Sequence, residues 1–386
     1  MSTPLVVGLA ALPWVLLPAV LLWRLRDSTE IEVYAGPVPE PAPLISVIVP
    51  ARNEARNIEA CMRSILASRW PALELIVVND HSTDGTGEIA RRLAASDARV
   101  RVLDAPDLPV GWFGKQWACH NGVGAARGPL LLFTDADTRH GPELYNLAVH
   151  AMNARGADLL SVAGDQKMET FWERLLQPHI FILIFATFGG TDTTSRATNP
   201  KSKIANGQWM LMRRHAYERS GGHEAVRTHV AEDLRLAQEF CRHGFSVQIV
   251  MAMEHLSTRM YEGLGEIVRG WGKNVFAAGR DVLPLGPAGQ LILRLVFPFP
   301  ALWEIVPAAV AVAGALGVVA PAVGTWGAVV YGVTVLYWAA IHHRMKAPVA
   351  YALLYPMAAL MIFGIFTRAA WKGSQVEWKG RHYESR

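Results

Sequence analysis

The sequence predicts an α/β domain with a mainly parallel sheet, joined to membrane-spanning helices, and three observations predict it. Short β-branched runs alternate with helical patterns between Leu44 and Val162. Charged residues make up only 18% of the 386 residues, and hydrophobic residues reach 51%; soluble domains carry about 25% charge. The deficit is also local. From Leu283 to Ile341 the only charges are Arg294 and Glu304, and from Ala347 to Thr367 there are none. The same composition excludes intrinsic disorder, a collagen-like repeat and a small disulfide scaffold. Cys61, Cys119 and Cys241 are scattered without metal or disulfide spacing, which fits a reducing compartment.

The first element is the uncharged run Leu5 to Trp23, long enough to cross a hydrocarbon core of about 30 Å. No basic segment precedes it, while Arg24 and Arg26 follow it directly. That flank asymmetry favours an anchor over a cleaved signal peptide and puts the following chain on the cytoplasmic face. A linker with Pro37, Pro39, Pro41 and Pro43 then prevents a helix from running through.

Leu44–Val49, Leu73–Val78, Val100–Leu103, Pro129–Phe133 and Asp158–Val162 have strand character. The segments Ile58–Ser68, Thr86–Ala94, Lys115–Ala126 and Glu143–Asn153 carry apolar residues at helical spacing. Alternation of this kind builds a parallel sheet with right-handed crossovers, whose ligands bind at the carboxyl ends of the strands. A further strand is expected over Phe245–Met251 and a helix over Ala231–His243. Beyond them, Pro298–Val319, Val323–Ile341 and Ala347–Thr367 are apolar enough to be three more spans. Four spans would leave the tail outside, although it carries Arg368, Lys372, Lys379, Arg381 and Arg386. A re-entrant hairpin in place of one span would remove that conflict with the positive-inside rule. For Arg294 and Glu304, snorkelling to the interface competes with a headgroup contact.

The predicted strand ends are unusually acidic. The first runs into Pro50-Ala51-Arg52-Asn53-Glu54, the second into Asn79-Asp80-His81-Ser82-Thr83-Asp84-Gly85-Thr86, and the fourth into Thr134-Asp135-Ala136-Asp137. Helix capping accounts for Asp84 and competes with function at Glu54. Asp135 and Asp137, spaced i, i+2, point the same way if the chain stays extended. Hard oxygens so placed suit Mg²⁺ or Mn²⁺ carrying a diphosphate.

This ordered set resembles the family 2 glycosyltransferases of GT-A fold, a Rossmann-like architecture. The resemblance covers about Ile45 to Arg280 and includes Ala231-Glu232-Asp233-Leu234-Arg235-Leu236. Three further segments look like the membrane-anchored branch associated with hopanoid, carotenoid and sphingolipid glycosylation. They are Gly111-Trp112-Phe113-Gly114-Lys115-Gln116-Trp117-Ala118, Thr258-Arg259-Met260-Tyr261-Glu262-Gly263 and Glu377-Trp378-Lys379-Gly380-Arg381.

The resemblance implies roles. Pro50, Ala51 and Glu54 would line the nucleobase pocket of a UDP- or GDP-sugar, and Asp80 would bind its base or ribose. Asp135 would contact the ribose and Asp137 the metal, with His255 a candidate third ligand against a surface histidine. Lys115, after a glycine-bearing turn at a helix start, faces phosphate or base unless it is merely solvated. Asp233 of the Glu232-Asp233 pair would be the general base of an inverting transfer, with an acidic first helical turn as the structural alternative. The segment Glu266 to Asn274 stands where processive synthases carry Gln-x-x-Arg-x-Trp. Glu266 replaces the glutamine, while Arg269, a diphosphate contact or an exposed interfacial arginine, and Trp271 keep the spacing.

The expected organisation is an anchor over 1–26 and a GT-A domain over 44–282 with an interfacial segment 168–190 and an interfacial helix 262–280. A transmembrane bundle over 290–371 and a basic tail over 372–386 complete it. Pro178 is expected to interrupt the aromatic segment Phe171 to Phe188, making it re-entrant or amphipathic beside a lipid acceptor. The implied protein is an integral protein of a bacterial inner membrane, with its catalytic domain cytoplasmic and its partners a nucleotide sugar, a lipid acceptor and the bilayer. Nucleic acid is not expected, because the residues behind the net charge of +4 cluster around membrane segments. Two alternatives remain: a processive polysaccharide synthase, and a non-catalytic nucleotide-sugar-binding or lipid-translocating protein.

Overall fold

The computed structural model describes residues 3–282, 286, 289, 291, 298–372, 375–378 and 381–384. They form two compact units. One comprises Ser28–Lys167, Thr191–Met260 and Ser374–Arg386; the other comprises Met1–Asp27, Met168–Gly190 and Tyr261–Gly373.

The first unit is built on seven strands: β1 (Ile45–Ala51), β2 (Leu73–Asn79), β3 (Val100–Asp104), β4 (Leu130–Thr134), β6 (Leu159–Ala163), β8 (Trp209–Arg213) and β9 (Val247–Met251). Their order is β3-β2-β1-β4-β8-β6-β9. Strands β3, β2, β1 and β4 run parallel, as do β6 and β9, whereas β8 is antiparallel to both of its neighbours. The sheet is therefore mainly parallel, as expected from the alternation, with one reversed strand that the pattern did not indicate. Strand β8 reads Trp-Met-Leu-Met-Arg, without a β-branched residue.

Strand periodicity explains the core. Val47, Val49, Leu75, Val77 and Leu132 pack on one face of the sheet, and Ile48, Ile76, Val78, Leu131 and Phe133 on the other. Continuous apolar runs are needed because helices cover both faces. The helices Ile58–Leu66, Thr86–Ala94, Gly114–Ala125, Leu144–Ala154 and Glu232–Arg242 fall within a residue or two of the expected segments. A smaller sheet orders β5 (Thr138–His140), β10 (Leu256–Thr258) and β7 (Asp165–Gln166), with β10 central. The tail forms an antiparallel hairpin of β11 (Gln375–Trp378) and β12 (Arg381–Glu384). Lys379, Gly380 and Arg386 lie outside the described residues.

The second unit is helical. Thr3–Leu25 is one helix despite Pro13 and Pro18. Phe171–Phe188 is also continuous through Pro178, against expectation. A capping box starts it: Glu173 N–H donates to Thr170 Oγ1 at 3.5 Å, and Thr170 N–H donates to Glu173 Oε2 at 2.5 Å. The ring of His179 stacks on Trp338 with centroids 3.5 Å apart. Among the described residues, two helical segments, Pro321–Arg344 and Val349–Trp371, are long and apolar enough to cross a membrane. Pro298–Val319, expected as a span, contains the shorter helices Pro300–Trp303 and Val306–Ala315, each with proline in its first turn. Arg294 lies outside the described residues. The segments 168–190 and 262–280 belong to this helical unit rather than to the α/β unit, while the tail belongs to the α/β unit rather than standing apart.

Candidate active site

All the strand-end carboxylates lie in the α/β unit. At the end of β1, the carbonyl of Ala51 accepts a 2.8 Å hydrogen bond from Asp80 N–H, binding the β1 and β2 exits together. Arg52 Nη1 donates to the Asp80 carbonyl at 2.7 Å. Pro50 pairs with Val78 in the same register. Asp84 is a capping residue, as its neighbours suggest: its carboxylate accepts from Thr86 N–H, Thr86 Oγ1 and Ala55 N–H at 3.1, 2.5 and 3.0 Å. Gly85, at φ +89°, allows the turn into that helix. Glu54 accepts from Asn57 Nδ2 at 3.1 Å, and its own N–H donates to Thr86 Oγ1 at 2.8 Å.

The Asp80 carboxylate is buried and accepts a paired hydrogen bond from Arg381: Nη1 donates to Oδ2 at 2.6 Å and Nη2 to Oδ1 at 3.0 Å. Its expected partner was a ribose hydroxyl or base N–H; the structure places a guanidinium from the tail there.

After β4 the chain does not stay extended. Thr138 N–H and Thr138 Oγ1 both donate to the Asp135 carbonyl, at 3.3 and 2.8 Å, closing a turn that contains Asp137. Buried Thr134 Oγ1 donates to the Gln208 carbonyl at 2.7 Å, and His140 joins Thr134 and Thr138 to Tyr145. A polar network beneath the turn therefore fixes where both aspartates project.

Lys115 is half-buried and ion-paired. Its Nζ lies 2.8 Å from Asp135 Oδ1 and 2.6 Å from Glu232 Oε1. Burial works against its charge, yet Asp135 and Glu232 outweigh burial and hold its pKa well above the ordinary range. Burial raises the pKa of Asp135, and Lys115 opposes that rise.

Burial, followed by the charges of Asp135 and Glu54, pushes the Asp137 carboxyl up to about 7. Its Oδ1 is shielded from solvent and has no hydrogen-bond partner among the described residues. An open carboxylate oxygen beside two further carboxylates fits a divalent cation, whose charge would lower such a pKa again. Among the described residues no group of three or more His, Cys, Asp and Glu side chains could hold a metal ion. The protein would thus supply part of a shell that water or substrate oxygens complete. The carbonyl of His255, the expected third ligand, accepts from Gly141 N–H at 2.6 Å, and its Nε2 lies 3.2 Å from Glu32 Oε1.

Glu232 and Asp233 begin their helix, where the backbone dipole favours carboxylates. Asp233 Oδ1 accepts from Leu234 N–H at 2.7 Å and Oδ2 from Gly207 N–H at 2.8 Å. Burial and then Glu232 raise its pKa to about 6, against the lowering effects of Lys115 and the two N–H donors. Gly207 leaves room for this carboxylate; a Cβ there would stand 2.8 Å from Asp233 Oδ2.

Asp135, Lys115 and Glu232 are thus joined directly, with Asp137 and Asp233 within reach of the same charges. Arg269 and Trp271 belong to the helical unit. Arg269 is exposed, whereas Trp271 is buried edge-to-face against Phe181 and Tyr261, with centroids 5.6 and 5.9 Å away. Sequence reasoning missed the roles of Gly207 and Arg381 in holding carboxylates and of Thr138 in holding the Asp135 backbone carbonyl. Only Arg381 carried a signal, as part of the Glu377 to Arg381 segment that carries the resemblance.

Residues 46–221 match the family described as Glycosyl transferase family 2. The chain is similar to the 4,4'-diaponeurosporenoate glycosyltransferase of Staphylococcus aureus (strain USA300), with 28% identity over 249 residues. That alignment covers 62% of this chain and 63% of the relative, so the chain spans less than two thirds of the relative's length. The fold is similar to that of a mannosyltransferase from Pyrobaculum calidifontis in complex with GDP-Man and Mn2+, with a TM-score of 0.58 and 19% identity over 92% of this chain and 97% of that one. The family 2 glycosyltransferase match thus falls on residues 46–221, most of them within the unit whose α/β fold is of GT-A type.

Proposed function

We propose that the protein transfers a single sugar, with inversion, from a nucleotide-diphosphate donor to a hydroxyl or phosphate of a membrane lipid. The reading is carried by one observation: Lys115 bridges Asp135 and Glu232 beside an Asp233 carboxylate held by two backbone N–H groups. In this mechanism Asp233 accepts the acceptor's proton as that oxygen attacks the anomeric carbon, and the bond from the anomeric carbon to the diphosphate breaks on the opposite face. A pKa near 6 leaves Asp233 ionised at neutral pH while keeping it a better base than an exposed aspartate. Glu232 and Asp135 hold Lys115 charged, so its ammonium offsets anionic charge at the donor. Asp137 and Asp135 would hold Mg²⁺ or Mn²⁺, which when bound neutralises charge on the departing diphosphate.

A lipid acceptor is supported by the carotenoid-type relative and by the apolar helical unit. Topology agrees with this. The tail hairpin belongs to the unit that holds Asp80, and a pair of crossings by the two candidate spans found among the described residues would bring the chain back to it. The basic tail then lies on the catalytic, cytoplasmic side, as the positive-inside rule asks. Single transfer is supported by Trp271, which serves as a packing residue against Phe181 and Tyr261.

The test uses membranes containing the full chain, labelled UDP- and GDP-sugars and host lipid extract. Asp233→Asn and Asp137→Asn should each abolish labelled lipid while the protein still inserts; full activity in both would overturn the site assignment. A ladder of products instead of one sugar per lipid would favour the processive reading.

A further inference from the structure

Among the described residues, the tail hairpin meets Asp80, the expected nucleoside contact, and the start of the helix that carries Lys115. Strand β12 presents Arg381 and Tyr383 on one face, since side chains two apart along a strand point the same way. Arg381 grips the Asp80 carboxylate through two charge-assisted hydrogen bonds at 2.6 and 3.0 Å. Tyr383 packs on Phe113 with ring centroids 4.3 Å apart, and its hydroxyl accepts from Gly114 N–H at 3.2 Å. Gly114 opens the helix that carries Lys115, and the residue before it, Phe113, offers no side-chain cap. The tyrosine hydroxyl, 269 positions away in sequence, therefore satisfies one of the donors that a helix start leaves unpaired. One strand thus links the β2 exit, through Asp80, to the Lys115 helix.

A displaceable plug would account for this geometry less well. The Asp80 side chain is only 2% exposed with Arg381 in place, so withdrawing the guanidinium would break a buried, doubly hydrogen-bonded ion pair. Each carboxylate oxygen accepts one guanidinium hydrogen and retains acceptor capacity for a ribose hydroxyl or base N–H. Arg381 also sets a cation beside Asp80, where an anionic donor would otherwise meet an unbalanced carboxylate.

We infer that the C-terminal hairpin is a component of the donor site, in which Arg381 is a positioning residue that aligns Asp80 for the nucleoside and Tyr383 fixes the start of the Lys115 helix. The inference rests on the glycosyl-transfer reading above and adds the tail to it.

The test uses the full chain in detergent, with UDP and GDP as probes in the presence of Mn²⁺. Calorimetric titration would measure their affinity, and steady-state transfer would measure KM and kcat. Arg381→Ala removes charged hydrogen bonds worth about 10- to 100-fold. It should weaken the favoured nucleotide and raise the donor KM by that factor, with the smaller share of the loss in kcat. Arg381→Lys, which keeps the charge without the planar fork, should recover part of it. In Asp80→Asn the further effect of Arg381→Ala should largely vanish, as expected of residues acting through one contact.

Unchanged affinity and KM in Arg381→Ala would overturn the inference, and so would an increased rate, which would mark the tail as an inhibitor. Should Arg381→Ala fail to accumulate, Tyr383→Phe keeps the ring on Phe113 and removes only the hydroxyl. A rise of about threefold or more in donor KM is expected there, one modest hydrogen bond, and no change would overturn the inference. Wild-type protein that binds neither nucleotide and transfers no sugar would instead refute the glycosyl-transfer reading itself.

Discussion

Replacing Lys115 by methionine keeps the length of the side chain and deletes its charge. At 2.8 and 2.6 Å, each ion pair has a gross attraction of about 6 kcal/mol at an effective dielectric near 20. Desolvation offsets most of that attraction, and breaking a buried pair typically costs about 3–5 kcal/mol. The side chains of Lys115, Asp135 and Glu232 retain 23%, 30% and 9% exposure, which lowers the expected loss to about 2–4 kcal/mol. The loss should depend on pH with a defined sign. Lys115 lowers the carboxyl pKa values of Asp135 and Asp233, so its removal raises them further above their unfolded values. A carboxyl whose folded pKa is raised keeps its proton longer in the folded state, and stability falls as pH rises from the unfolded pKa through the folded one. The deficit of Lys115→Met relative to wild type should therefore be larger near pH 8 than near pH 5, on either side of the Asp233 pKa of about 6. Urea unfolding of the detergent-solubilised protein at both pH values measures it. A deficit that is equal at the two values, or below about 1 kcal/mol at pH 8, would refute the buried-bridge account.

Gly207→Ala should push the Asp233 carboxylate out of place, since its Cβ would meet Oδ2 at 2.8 Å; a loss of about 10- to 100-fold in kcat with little change in donor KM is expected in steady-state assays. The acid limb of the kcat profile should bend near pH 6, where Asp233 takes up its proton, with about a tenfold fall per unit below it; activity that persists undiminished at pH 4.5 would remove Asp233 as the base. Thr138→Val deletes the hydroxyl donor to the Asp135 carbonyl and should cost about 1–2 kcal/mol in unfolding experiments.

Most of the fold could be read from local patterns. Strands β1, β2, β3, β4, β6 and β9 and the helices between them announce themselves through period-two and helical spacing, because each satisfies its own backbone or presents its own apolar face. Strand β8 did not, since Trp-Met-Leu-Met lacks the β-branched signature and its reversed direction is imposed by β4 and β6 on either side. The same division applies to the helical unit. The apolar length of Phe171–Phe188 was visible, whereas its continuity through Pro178 depends on a capped start and on packing such as that of His179 on Trp338.

By itself the sequence determined the α/β alternation, the apolar surplus and which carboxylates stand at strand ends, because these follow from spacing within a few residues. Only the tertiary structure decided what those carboxylates meet. Asp135 and Glu232 share Lys115, Asp233 is held by Gly207, and Asp80 is gripped by Arg381 across 301 positions of chain. No local pattern encodes such pairings. A buried charge selects whichever partner the folded backbone brings within hydrogen-bond reach, and sequence separation does not enter that distance.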